Sequence, residues 1–119
     1  MIQIFPVPSE KLWDFCREHG LGSRPLRACT AEEGETLLGW CALGEGEPCP
    51  ILGVEADDPA VADGLLRAAL FPLYVGGCRG YRFAAPPAAA LPEGYVTAAE
   101  GSLAELFSPC EEGKERENE

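Results

Sequence analysis

Short runs in which apolar and polar residues alternate dominate the first half of the chain. Such alternation is typical of strands with one buried face, and turns rich in glycine and glutamate separate the runs. The pattern predicts a first strand, a helix, and then three strands joined by short turns in an antiparallel meander. These strands are placed at 2–5, 26–31, 36–43 and 50–55.

A short amphipathic helix is predicted between the first two strands, with Ser9 as its N-cap and Gly20 at its end. Its apolar face comprises Leu12, Trp13, Phe15 and Cys16. We expect both tryptophans, Trp13 and Trp40, to pack in the core, with an interface role as the alternative.

The second half of the chain contains a longer helical pattern. Asp58 is its predicted N-cap, Pro59 occupies the first helical position, and Gly76 ends it. A fifth strand is predicted at 81–85, parallel to the fourth, because a helical crossover joins them. Residues 94–96 are expected to be extended, and residues 102–107 form either a short helix capped by Ser102 or an edge strand.

Composition limits the class of partner. The 119 residues carry a net charge of −11, and we expect one domain at 1–109 with a charged tail at 110–119. An acidic surface repels phosphate backbones and anionic lipids, so neither nucleic acid nor a membrane is an expected partner. No signal segment is seen at the N-terminus, and a cytoplasmic location is predicted.

Six cysteines are many for this length, but none is arranged as Cys-x-x-Cys and His19 is the only histidine. We therefore expect no metal site, and we interpret the thiols as small buried hydrophobic groups. A thiol-dependent metal or redox protein is the alternative.

The order of elements resembles the GNAT acetyltransferase superfamily. The similarity covers most of residues 1–107 and includes Ile51-Leu52-Gly53-Val54 before the long helix, Leu65-Leu66-Arg67-Ala68-Ala69 within it, and Gly80-Tyr81-Arg82-Phe83 after it. The resemblance implies an α/β (α+β) fold with a mixed, twisted, mostly antiparallel sheet and helices on both faces.

In GNAT proteins the turn before this helix carries an Arg/Gln-x-x-Gly-x-Gly/Ala pattern that holds the pyrophosphate of acetyl-CoA. The resemblance places that pattern on residues 57–62, where only Ala62 conforms. Asp57 stands at the basic position, Ala60 stands at a glycine position, and Asp58 would cap the N–H groups that a phosphate needs. The position is degenerate, and no cofactor is expected.

The resemblance also implies an acid and a base. The usual acid position falls on Ala90, which leaves Tyr95 as a substitute, and Glu55 at the end of the fourth strand is the candidate base. The sequence therefore predicts a non-catalytic GNAT-fold module that binds a protein or a small molecule. The alternative is a divergent acyl-CoA-dependent N-acetyltransferase that uses acetyl-CoA, and a homodimer is left open in either case.

Overall fold

Six strands lie side by side in the order in which the chain forms them. The computed structural model describes residues 1–107, which form a mixed α/β domain. The strands are β1 (Gln3–Pro6), β2 (Arg27–Glu33), β3 (Thr36–Leu43), β4 (Cys49–Ala56), β5 (Gly80–Phe83) and β6 (Gly101–Ser102). The helices are α1 (Leu12–Glu18), α2 (Pro59–Val75) and α3 (Leu103–Phe107).

The predicted meander is confirmed. Strands β2, β3 and β4 pair antiparallel, and the β2–β3 turn contains Gly34 at φ +62°, a conformation that glycine adopts without strain. β4 and β5 are parallel neighbours joined by α2, as the crossover predicts. Every other pairing in the sheet is antiparallel, so the sheet is mixed but mostly antiparallel.

Two predictions for the first helix are wrong. Ser9 opens a short 3-10 turn, Ser9–Lys11, and no side chain caps it or α1, because the Lys11 N–H bonds to the Pro8 carbonyl at 2.9 Å instead. Trp13 is 56% exposed. The buried stripe of α1 consists of Leu12, Phe15 and Cys16 at helical spacing, and Trp13 falls beside it.

The larger hydrophobic cluster lies between α2 and the strands. Ala62, Leu65 and Leu66 of α2 are fully buried in it, together with Cys41 of β3 and Ile51 of β4. Removal of this apolar surface from water stabilises the domain by about 25 cal/mol per Å².

A second cluster joins α1 to the same strands. Phe15 of α1 packs against Trp40 and Ala42, which alternate along β3 with residues of the larger cluster. The Trp40 ring lies 4.3 Å from the ring of His19 and 5.6 Å from that of Phe15, measured between centroids. The predicted core role of Trp40 is confirmed, since only 8% of it is exposed.

The C-terminal part folds around the end of α2. Gly94 lies in a turn at φ +107°, and residues 94–96 do not form the extended segment that the sequence predicts. Ser102 ends β6 and its hydroxyl accepts the Glu105 N–H at 3.3 Å, which fits the predicted cap of the short helix.

Residues 108–119, which include the predicted tail at 110–119, lie outside the described residues. Within residues 1–107, no helix is long and apolar enough to cross a membrane.

We predict that Gly39→Ala destabilises the domain by about 1–3 kcal/mol, the usual cost of overpacking a core. A methyl group at Gly39 would lie 2.6 Å from the Glu55 carbonyl oxygen and 2.9 Å from the Ala56 Cβ, so β3 and β4 would have to separate. Gly22→Ala is the matched control, because its new Cβ meets nothing within 4 Å. Urea unfolding of both variants measures the difference, and equal stability of the two would contradict the close approach.

Candidate functional site

The start of α2 is closed by its own hydrogen bonds. The Asp58 carboxylate accepts the Ala60 N–H at 2.8 Å, and the Asp58 carbonyl accepts the N–H groups of Val61 and Ala62 at 3.0 and 3.1 Å. Pro59 has no N–H to offer. Every backbone donor of the first turn is therefore absent or satisfied, so the turn presents none of the free N–H groups that bind a phosphate.

The four positions of the degenerate loop have different surroundings. Asp57 and Asp58 are exposed at the end of β4, and Ala60 is exposed in the first turn of the helix. Ala62 is fully buried in the larger cluster, so its side chain contacts the core and not a ligand. The two exposed carboxylates put negative charge where the helix dipole would otherwise favour an anion.

Glu55 lies beside Trp40, and both side chains line a cavity. Trp40 of β3 and Glu55 of β4 are direct cross-strand partners, and the Trp40 Nε1–H donates to Glu55 Oε1 at 3.3 Å. The cavity has a volume of about 300 Å³, and Glu55 and Trp40 line it together with Asp57 and Ala88. Glu55 is thus an exposed carboxylate next to a concave surface.

A backbone segment after β5 covers part of this cavity. The Ala88 N–H donates to the Val54 carbonyl at 3.0 Å, and the Ala88 carbonyl accepts the Ala56 N–H at 3.4 Å. Pro86 and Pro87 interrupt the pairing because proline has no N–H, and the register advances by one residue across them. Backbone from Ala88 therefore occupies the edge of β4 next to Glu55.

Tyr95 is held in a polar network on α2. Its hydroxyl donates to Asp63 Oδ1 at 2.7 Å, and the Arg67 Nε–H donates to the same oxygen at 2.9 Å. Burial, and then the neighbouring Asp63 carboxylate, raise the pKa of Tyr95 well above its usual value. A hydroxyl whose proton already points to a carboxylate is a poor proton donor to a substrate, so the contact is one that fastens the C-terminal segment to α2.

The structure does not assemble the two predicted catalytic candidates into one site. Glu55 bonds to Trp40 and lines the cavity, whereas Tyr95 is not among the residues that line it. The Asp63 partner of Tyr95 was missed at the sequence level. Its spacing of four residues from Arg67 on a helix indicates the ion pair, but nothing local indicates Tyr95, which is 32 residues away.

Four of the five cysteines within residues 1–107 lie in two pairs, Cys29 with Cys41 and Cys49 with Cys78, and Cys16 lies apart from them. Cys29 and Cys41 are direct partners across β2 and β3, and both are buried. The thiol of Cys41 hydrogen-bonds to Cys29 and lowers the pKa of Cys29 to about 7, while the same bond raises the pKa of Cys41. Within residues 1–107, no group of three or more His, Cys, Asp or Glu side chains is arranged to hold a metal ion.

Cys49 and Cys78 lie next to Glu47, whose carboxylate joins two loops by hydrogen bonds. Burial raises the pKa of Cys49 to about 12, and burial also raises the pKa of Cys78. Next to them, Glu47 accepts the N–H groups of Arg79 and Gly80 at 3.0 and 3.1 Å. Glu47 therefore ties the β3–β4 loop to the start of β5, and the high thiol pKa values make both cysteines weak nucleophiles at neutral pH.

Comparison with known proteins adds no assignment to this geometry: no family model, curated protein or solved structure matches the chain.

We predict that Glu47→Gln lowers the melting temperature at pH 7 and has little effect at acid pH. The bond from the Arg79 N–H holds the pKa of Glu47 below its usual value in the folded protein. The contribution of this carboxylate is therefore present above the pKa of glutamate in the unfolded chain and is lost as the pH falls through the lower folded-state pKa. Circular dichroism melts across this pH range measure the effect. Glu45→Gln, which removes the same charge from the same exposed loop, should show no such pH dependence.

We predict that Tyr95→Phe costs about 1.5–3 kcal/mol of unfolding free energy, the usual contribution of a hydrogen bond to a charged group. A double-mutant cycle with Asp63→Ala isolates the pair, because the bond from Arg67 to the same oxygen is lost with and without the Tyr95 hydroxyl and cancels in the cycle. We expect a coupling energy above about 0.5 kcal/mol in urea unfolding. Strictly additive effects would contradict a structural role for this hydroxyl.

Proposed function

We propose that the chain is a GNAT-like domain, with helices on both faces of its sheet, that works as a non-catalytic binding module in the cytoplasm. The observation that carries this proposal is the first turn of α2, in which Asp58 and Pro59 leave no N–H for a pyrophosphate. The resemblance supplies the class of fold. Along β3, Trp40 and Ala42 belong to the cluster with α1, whereas Cys41 and Leu43 belong to the cluster with α2. This alternation supports helices on opposite faces of the sheet.

The site residues also favour binding over acetyl transfer. A transferase of this class needs an acid that protonates the departing thiolate, and the pKa of Tyr95, the candidate, is raised well above its usual value by burial and Asp63. Arg67, the cation that an acyltransferase would direct toward a phosphate, already bonds to Asp63 and to the Leu106 carbonyl at 2.9 Å. The groups that would serve a cofactor are engaged in holding the domain together.

One observation favours a second candidate function, a divergent acyl-CoA-dependent N-acetyltransferase. Glu55 is an exposed carboxylate beside a cavity of about 300 Å³, which is a suitable position for a base that accepts a proton from an amine. This function requires acetyl-CoA to enter by a route other than the turn at Asp58.

We expect calorimetric titration with acetyl-CoA, and separately with free CoA, to give no saturable heat up to millimolar concentration. Asp57→Ala/Asp58→Ala removes both carboxylates but keeps Pro59, and it should also fail to bind, because the turn still lacks a donor and a glycine. Saturable binding by the wild type at micromolar concentration would instead support the transferase, and Glu55→Gln would then be assayed with amine substrates.

A further inference from the structure

Two neighbouring cavities form a groove beside the start of α2. The first, of about 300 Å³, contains Glu55, and the second, of about 360 Å³, contains Glu33. Leu37, Leu38 and Asp57 line both of them. Each cavity has room for one or two side chains and lies near the lower end of the range for ligand pockets. We call this surface the β3–α2 groove.

Apolar side chains form part of the walls of the β3–α2 groove. Leu37, which borders both cavities, is 54% exposed, and Ile2 is 47% exposed at the far end. Leu38 and Val61 continue the apolar lining toward the core. Contact of exposed apolar side chains with water raises the free energy, and covering them with a partner lowers it.

The charged side chains of the groove all have the same sign. Among residues 1–107, Glu33, Glu55, Asp57 and Asp58 line it, and no lysine, arginine or histidine does. Glu33 contacts the Met1 ammonium at 3.3 Å, but Glu55, Asp57 and Asp58 form no salt bridge within residues 1–107. Like charges gathered around a low-dielectric surface repel each other, so a cationic partner would relieve them and be attracted from a distance.

We propose that the β3–α2 groove binds a basic peptide segment of a partner protein, with an apolar side chain against Leu37 and lysine or arginine side chains beside the carboxylates. The inference rests on the proposed binding function and names its partner class. The division into two cavities on either side of Leu37 suits successive side chains of one extended chain better than a single compact molecule. Anionic partners are excluded by the same carboxylates.

The test is selection from a phage-displayed library of random dodecapeptides against the wild-type domain near physiological ionic strength. Selected peptides are then labelled and titrated by fluorescence anisotropy. The groove variant is Leu37→Ser/Glu55→Gln/Asp57→Asn, and the matched control is Leu26→Ser/Glu45→Gln/Glu93→Gln. The control also replaces an exposed leucine and removes two negative charges, but its positions do not line either cavity. Circular dichroism melts verify that both variants fold.

We expect selected peptides to place lysine or arginine next to an apolar residue and to bind the wild type at least about tenfold more tightly than the groove variant. The control variant should stay within about twofold of the wild type. Three results would overturn the proposal: no enrichment, equal binding by both variants, which would indicate attraction to net charge alone, or complete displacement by micromolar spermidine, which would indicate a small-amine site. Binding of acetyl-CoA would contradict the proposed non-catalytic function but would leave the groove proposal standing. If no peptide is selected and acetyl-CoA does not bind, the groove proposal alone is contradicted.

Discussion

Helix α2 lies close against the centre of the sheet because β3 presents a glycine where Leu65 approaches. A side chain at Gly39 would meet the Glu55 carbonyl, the Ala56 methyl group and the Leu65 side chain within 3.2 Å, so the position admits nothing larger than hydrogen. This close contact lets α2 bury its leucines over β2, β3 and β4 together. It also fixes the direction in which α2 leaves β4, and therefore where the first turn of the helix, the parallel strand β5 and the Asp63 network lie.

The position of α2 makes its N-terminus an exposed feature of the molecule. The end of a helix carries partial positive charge and free donors, and an open turn at this place would attract an anion. Here Asp58 satisfies the donors with its own side chain and carbonyl, and Pro59 removes one of them. The same residues that start the helix efficiently thus remove the physical basis for binding a phosphate, so stability of α2 and phosphate binding compete at this turn.

Local signals predicted the elements whose bounds are set by local chemistry. The Asp58-Pro59 start of α2, the run of β3 from Thr36 to Leu43 and the Gly34 turn follow from capping, alternation and glycine conformation, and they are found where expected. Ser9 was misjudged because the residue before it, Pro8, directs the first turn into a 3-10 geometry. Trp13 was misjudged because its hydrophobicity was weighed without its angle on the helix.

The features that decide the candidate site depend on contacts between distant segments. Tyr95 meets Asp63 across 32 residues, and Ala88 pairs with the edge of β4 after a one-residue change of register at two prolines. The sequence indicated Glu55 at a strand end and negative charge at Asp57 and Asp58, but it could not show that these carboxylates share a surface with Leu37.

The carboxylates on that shared surface disfavour an anionic cofactor and favour a basic peptide segment. Asp57 and Asp58 oppose an anionic cofactor through their charge, and the same charge, next to an exposed leucine, creates a concave surface suited to a cation with an apolar neighbour. Reopening the turn to phosphate would require a donor at position 59 and a glycine as well as removal of both carboxylates, and that removal would also reduce the attraction of a basic segment. The negative charge at residues 57 and 58 therefore acts on the two functions in opposite directions, since it opposes an anionic cofactor and attracts a basic segment.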